Sequence, residues 1–183
     1  MAYYYFDFRE GQKQNCRNLV SSLLIQLSAR SALCYDILSS LHLRHENGER
    51  APNVNVLIEC LKEMLRMLHQ YPTYIILDAL DECPISPGIP SPREQVLTLV
   101  KELVILPNLY LCVTSRPEVD IRVALEPLGP HRVSLHEQSG QMKDIVDYVN
   151  SVIYSDADTN MKKWRDDEKK SVVNTLSEQA DGM

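Results

Sequence analysis

Apolar residues recur along the chain in two rhythms. Leu19, Val20, Leu23, Leu24 and Leu27 share one face of a 3.6-residue period and predict a helix over Asn15–Leu41. Val54, Leu57, Ile58, Leu61, Leu65 and Leu68 repeat the pattern, as do Met142, Ile145, Val146, Val149, Val152 and Ile153. Two shorter stretches, Tyr74–Leu77 and Leu109–Thr114, are apolar without alternation. That is the mark of parallel strands covered on both faces. The aromatic run Ala2–Phe8 reads as a further strand and His131–Leu135 as a last one. Ser91-Pro92-Arg93-Glu94 carries a helix start: Ser at the N-cap, Pro at the first helical position, Glu three residues on. That helix is expected to reach about Leu106, before Pro107-Asn108. A short helix follows Pro117, and a final one spans Trp164–Ala180. Polar connections cover Arg44–Asn53, Pro84–Pro92 and Ser155–Asn160.

Strands alternating with helices predict an α/β fold, a parallel sheet with helices on both faces. Composition changes this little. Hydrophobic content of 44% and charged content of 24% are those of a globular domain. A net charge of −6 argues against a dedicated nucleic-acid binder. The five cysteines are scattered and form no C-x-x-C pair, so they read as reduced thiols and not as a disulfide framework or zinc site. No apolar run has membrane-spanning length. The expectation is a cytoplasmic domain with no membrane and no nucleic-acid partner.

The candidate chemistry lies where the strands end. "TYIILDALDEC", Thr73–Cys83, runs from apolar residues into Asp78, then Asp81 and Glu82. In open α/β sheets ligands bind beyond the carboxyl ends of the strands. A carboxylate at Asp78 can hold Mg²⁺ against ligand phosphates, with Asp81 helping to hold the metal or shifting its neighbour's pKa. Glu82 can polarise an attacking water as a general base. Against this stands the plain alternative that acids follow a strand because the chain is leaving the core. In "LCVTSRPE", Thr114, Ser115 and Arg116 follow the second apolar strand. If the two strands are neighbours, Arg116 emerges beside the acids, where it can meet a terminal phosphate or simply pair with Asp78 or Asp81.

The stretches "YYYFDF", "NLVSSLLIQL", "IILDALDEC", "LCVTSRPEVDI" and "LSEQADGM" together resemble the NACHT branch of the STAND P-loop NTPases. They are most similar to fungal NLR-like proteins with a nephrocystin-like NACHT module. The resemblance implies a three-layer P-loop NTPase-type sheet, with residues 1–155 as a partial nucleotide-binding core and 156–183 as the start of a helical region. It implies Asp78 and Asp81 as metal-binding acids of an extended Walker B motif, and Glu82 and Asp81 as the catalytic pair. Arg116, as the sensor arginine, with Ser115 and Thr114 beside it, makes up the nucleotide-binding set. The implied cofactor is Mg²⁺ with ATP or GTP, hydrolysed slowly as a switch. The implied partners are copies of itself or other NACHT chains.

The sequence departs from that family in one respect. A P-loop needs G-x-x-x-x-G-K-[ST], whose backbone N–H groups cradle phosphates. None of Gly11, Gly48, Gly88, Gly129, Gly140 and Gly182 stands in such a motif, and "EGQK" at Glu10–Lys13 lacks its flanks. The chain reads as beginning after the P-loop helix. The missing strand would leave the edge of Leu109–Thr114 bare, and a bare apolar edge invites pairing with another chain. Two function classes follow: a piece of a signalling NTPase, or a non-catalytic interaction fragment.

Other features read as structural. His42 and His45, three apart, lack a third ligand. The mixed-charge stretch Asp156–Glu168 reads as a solvated face. Tyr3, Tyr4 and Tyr5 read as sheet packing, not base-stacking residues. No nucleophile-and-base arrangement has a local signature.

Overall fold

The structure is a computed structural model. It describes residues 1–45, 48, 50–68, 71–85, 90–129, 131, 133, 139–155 and 163–179, without the side chains of 139–142 and 177–179. The chain divides into two compact units, Met1–Pro130 and His131–Met183.

The first unit is mixed α/β. Strand β1 spans Ala2–Tyr5, β2 Thr73–Asp78 and β3 Leu109–Val113, and they form a parallel sheet in the order β1-β2-β3. The register sets Ala2 beside Ile75 and Tyr5 beside Asp78 on one side of β2. On the other it sets Thr73 beside Leu109 and Leu77 beside Val113. The helices are α1 (Cys16–Ser28), α2 (Ala32–Arg44), α3 (Val54–Met67), α4 (Pro92–Leu103) and α5 (Val119–Leu125). Helix α1 packs against β1, α2, α3 and α4, and α4 also meets α5. Between them lie the fully buried Phe6, Leu19, Leu23, Leu24, Leu61, Met64, Ile75, Leu77, Leu80, Leu99 and Leu103. Each such aliphatic side chain contributes about 1.5–3 kcal/mol by leaving water.

Local signals set most helix starts. Asn15, Ser31 and Asn53 accept hydrogen bonds at the N-termini of α1, α2 and α3. At α4 the expected capping box is present: Glu94 N–H donates to Ser91 Oγ and Ser91 N–H to Glu94 Oε2, with Pro92 in the first turn.

Three expectations are corrected. The helix read over Asn15–Leu41 is two helices, broken at Ala29–Arg30. Arg30 N–H turns back to the Leu27 carbonyl, and Ser31 then caps a new helix without any glycine or proline at the break. Helix α4 ends at Leu103, short of Leu106, and Asn108 takes φ +56° at the entry to β3. The third correction concerns the sheet. Its strands read as covered on both faces, yet within this unit their burial alternates. Ala2, Tyr4, Thr73, Ile75 and Leu77 are buried, while Tyr3, Tyr74 and Tyr110 are 53%, 49% and 54% exposed and Tyr5 and Cys112 are exposed with them. The helices cover one face. On the other, Tyr74 and Tyr110 stack at 5.1 Å, shielding part of each ring, so an apolar run persists there without a covering helix among the described residues of this unit.

The two sheet edges also differ. Even-numbered residues of β1 turn their backbone groups to β2, as Phe6 N–H donating to the Asp78 carbonyl shows, so Tyr3 faces outward. Gln26 of α1 meets it there: Tyr3 N–H donates to Gln26 Oε1 at 3.0 Å and Gln26 Nε2 donates to the Tyr3 carbonyl at 2.7 Å. One side-chain amide thus takes the place of a neighbouring strand. On β3, Thr73 N–H donates to the Asn108 carbonyl and Thr114 N–H to the Leu77 carbonyl. Even-numbered residues therefore face β2, and the backbone groups of Leu109, Leu111 and Val113 line an outer edge with no strand beside it among the described residues.

The second unit holds α6 (Ser139–Ile153) and α7 (Asp166–Gln179), packed on each other, with Ile153 and Val173 buried. Of the strand read over His131–Leu135, only His131 and Val133 are described and neither lies in a strand; the remainder is outside the described residues. The polar break Ser155–Asn160 is likewise outside them beyond Ser155. No helix among the described residues is long and apolar enough to cross a membrane.

Candidate functional site

The carboxyl ends of the three strands carry the residues that the sequence singled out. Asp78 is the last residue of β2 and is exposed. Thr114, just past β3, donates from Oγ1 to Asp78 Oδ1 at 2.5 Å and accepts from Ala79 N–H at 3.0 Å. The next amide, Leu80 N–H, donates to the Thr114 carbonyl. Thr114 therefore pins the strand end and the turn together. Ala79 makes this possible by adopting the left-handed region, φ 54° and ψ 48°. That costs a non-glycine residue about 1 kcal/mol. Leu80, fully buried, anchors the short 3₁₀ turn Leu80–Glu82 that follows.

Asp81 and Glu82 leave this turn in different directions. The Asp81 side chain is only 10% exposed; Oδ1 accepts from Arg116 N–H at 3.0 Å and Oδ2 lies 3.6 Å from Arg116 Nε. Glu82 Oε2 accepts from Phe8 N–H at 3.1 Å, which ties the turn to the chain leaving β1. Arg116 projects a largely exposed guanidinium, and Ser115 is exposed beside it. The conditional expectation that the two apolar strands are neighbours holds, and Asp78, Asp81, Thr114 and Arg116 form one cluster. Glu82 turns to the β1 side of it.

These contacts define what the cluster can do. Among the described residues Asp78 Oδ2 has no hydrogen-bond partner, so this oxygen is available to a ligand-borne cation. Asp81 spends both oxygens on Arg116, the pairing that the sequence left open as the structural alternative. Among the described residues no group of three or more His, Cys, Asp or Glu could hold a metal by itself. That includes His42 and His45. A hard cation such as Mg²⁺ is ordinarily held by one or two carboxylates, with phosphate and water oxygens completing an octahedron. The cluster fits that arrangement and not a protein cage. A cavity of about 370 Å³ lies elsewhere, lined by Arg44, His45, Arg50, Ala51, Pro52 and Asn53.

Three residues escaped the sequence reading. Asp7, just past β1 and buried, accepts from Arg9 N–H, Nε and Nη2, and this guanidinium pulls its carboxyl down to about 2. Arg93 is 6% exposed and reaches the acid turn from α4: Nε donates to the Cys83 carbonyl at 2.8 Å and Nη2 to the Asp81 carbonyl at 2.5 Å. Its Nη1 meets both oxygens of Asp120 at 3.2 and 3.3 Å. Asp120 stands in the first turn of α5. The one local signal for Arg93 is a cation in the first turn of a helix, where the dipole favours anions. The thiols are not part of the site's chemistry: burial pushes Cys83 up to about 12 and Cys16 and Cys60 up to about 11, and all five cysteines are free.

Asp78, Asp81, Thr114 and Arg116 thus stand at the carboxyl edge of a three-stranded parallel sheet in a mixed α/β unit. The nephrocystin 3, N-terminal family model matches residues 1–116, from β1 to Arg116, and the chain belongs to that family. No curated protein and no solved structure matches it.

Proposed function

We propose that the chain is part of a NACHT-type signalling NTPase, in which the carboxyl edge of this sheet supplies the acid half of a Mg-nucleotide site. The observation that carries the reading is Asp78: an exposed carboxylate at the end of the central strand, oriented through Oδ1 by Thr114, with Oδ2 unpartnered among the described residues and Arg116 beyond the adjacent strand. Mg²⁺ arriving with ATP or GTP would neutralise phosphate charge. Asp78 would hold that charge in place. Arg116 would meet a terminal phosphate by exchanging its Asp81 partner for it. Asp81, released, and Glu82, through its second oxygen, would then face the site as the catalytic acids. Nucleotide-driven association with further NACHT chains is the output that this reading implies. Without a P-loop motif in the sequence, affinity of this chain for nucleotide is weak, because phosphates are cradled chiefly by such a loop.

A second reading, a non-catalytic interaction fragment, is favoured by the Asp81–Arg116 pair and by the open apolar face and edge of the sheet. Titration calorimetry with Mg-ATP and Mg-GTP, on the chain and on Asp78→Ala, separates the two. Binding that Asp78→Ala abolishes supports a working acid site. Micromolar binding that survives the substitution removes Asp78 from the mechanism; binding by neither protein even at saturating nucleotide leaves the interaction reading standing, or an acid half-site that needs the P-loop.

A further inference from the structure

We propose that Arg93, fixed by Asp120, is the positioning residue of the acid turn: it sets where Asp81 and Glu82 stand and couples that position to helix α5. The proposal rests on reading the turn as an acid site, but its test measures the order of the turn and not nucleotide.

Position is the first observation. Arg93 belongs to α4, yet every hydrogen bond of its side chain leaves that helix. Nε and Nη2 donate to the carbonyls of Cys83 and Asp81, two residues apart on the turn. Nη1 donates to the Asp120 carboxylate, on the segment that follows Arg116. A planar guanidinium carries its donors on three nitrogens in a rigid fork and reaches three acceptors spread around its rim, whereas an ammonium offers its three donors from a single atom on a flexible stem.

Cost is the second observation. The side chain is buried, and it stands at a helix N-terminus, where positive charge is disfavoured. A buried charge in an unfavourable place persists where a specific geometry requires it, and such departures from local preference concentrate at functional or strained positions. The turn is a place of that kind. Ala79 holds a left-handed conformation immediately before it, and after Leu80 N–H, which donates to the Thr114 carbonyl, the turn's amides close only short loops: Glu82 N–H to the Ala79 carbonyl and Cys83 N–H to the Leu80 carbonyl. Thr114 clamps the turn from the β3 side and Arg93 from the α4 side. Removing the second clamp leaves the Asp81 and Cys83 carbonyls without these donors and frees the turn to move relative to Asp78.

The test is amide hydrogen exchange on the full 183-residue chain and three variants, with urea unfolding in parallel. In Arg93→Met the amides of residues 79–83 and Arg116 should exchange about tenfold faster or more, the loss expected for charge-assisted hydrogen bonds, while core amides of α1 and α3 change far less. Arg93→Lys should recover much of the urea midpoint but little of the turn's protection. Asp120→Asn, altering a half-exposed partner, should speed the same turn amides about threefold. Turn amides that stay at wild-type rates, or that rise only in step with the core, overturn the proposal. So does full recovery of turn protection by Lys. If Arg93→Met does not fold, Asp120→Asn decides: unchanged turn exchange there sinks the idea. A turn that loosens as expected in a chain whose nucleotide binding survives Asp78→Ala would refute the proposed function and leave this inference standing.

Discussion

The two faces of the sheet are built from similar residues and have opposite fates. Ile75 and Ile76 are neighbours in β2; the first is wholly buried under the helices, the second half-covered on the tyrosine face. The edges contrast in the same way, Gln26 closing the middle of one and no strand among the described residues lying beside the other. Side-chain chemistry alone therefore does not decide what is core here. Which face receives α1 and its neighbours does, and that follows from helices whose apolar stripes point one way.

The largest expected effect tests the faces. Ile75→Ala should cost about 2–5 kcal/mol in urea unfolding, and Ile76→Ala about 1 kcal/mol or less. Equal costs would mean that the tyrosine face is covered in solution. Next comes the closed edge: Gln26→Ala should cost about 1 kcal/mol and, by baring Tyr3, should raise concentration-dependent association in sedimentation velocity. A stable, monodisperse variant would show that the amide guards nothing. The smallest effect on stability sharpens the open face. With a thiol reagent at neutral pH, Cys112 should react alone in the native protein, because Cys16, Cys34, Cys60 and Cys83 are buried and their thiols are held protonated. Cys112→Ser should remove that fast phase at a cost under about 0.5 kcal/mol.

Legibility followed the range of the interactions. The capping box of α4 was readable because Ser91 and Glu94 are three residues apart. The neighbouring of β2 and β3 was readable as a condition, since two apolar runs ended in complementary charges. The break at Ala29–Arg30 was not, because no glycine or proline marks it and Leu27 continues the stripe up to it. The open face was not, because tyrosine serves both as core and as half-exposed cover. Arg93 was hidden for a different reason: its partners lie between ten and twenty-seven residues away, and only the fold brings Cys83 and Asp120 to one side chain. At the site, the residue types were legible and their pairings were not. Nothing in the order of letters says that Asp81 turns to Arg116 while Glu82 turns to Phe8.

The Gln26 amide has a consequence for growth. A strand array that is free at both ends can add members without limit, as fibrils do. Among the described residues this sheet has one flank blocked and one without a strand beside it, so its valence is one. Whatever strand arrives at Leu109–Val113, whether from a partner or from a second copy, ends the addition there, because the far flank offers only the isolated backbone groups of Tyr5. A single glutamine side chain thereby makes the difference between a molecule that can be completed and one that can polymerise.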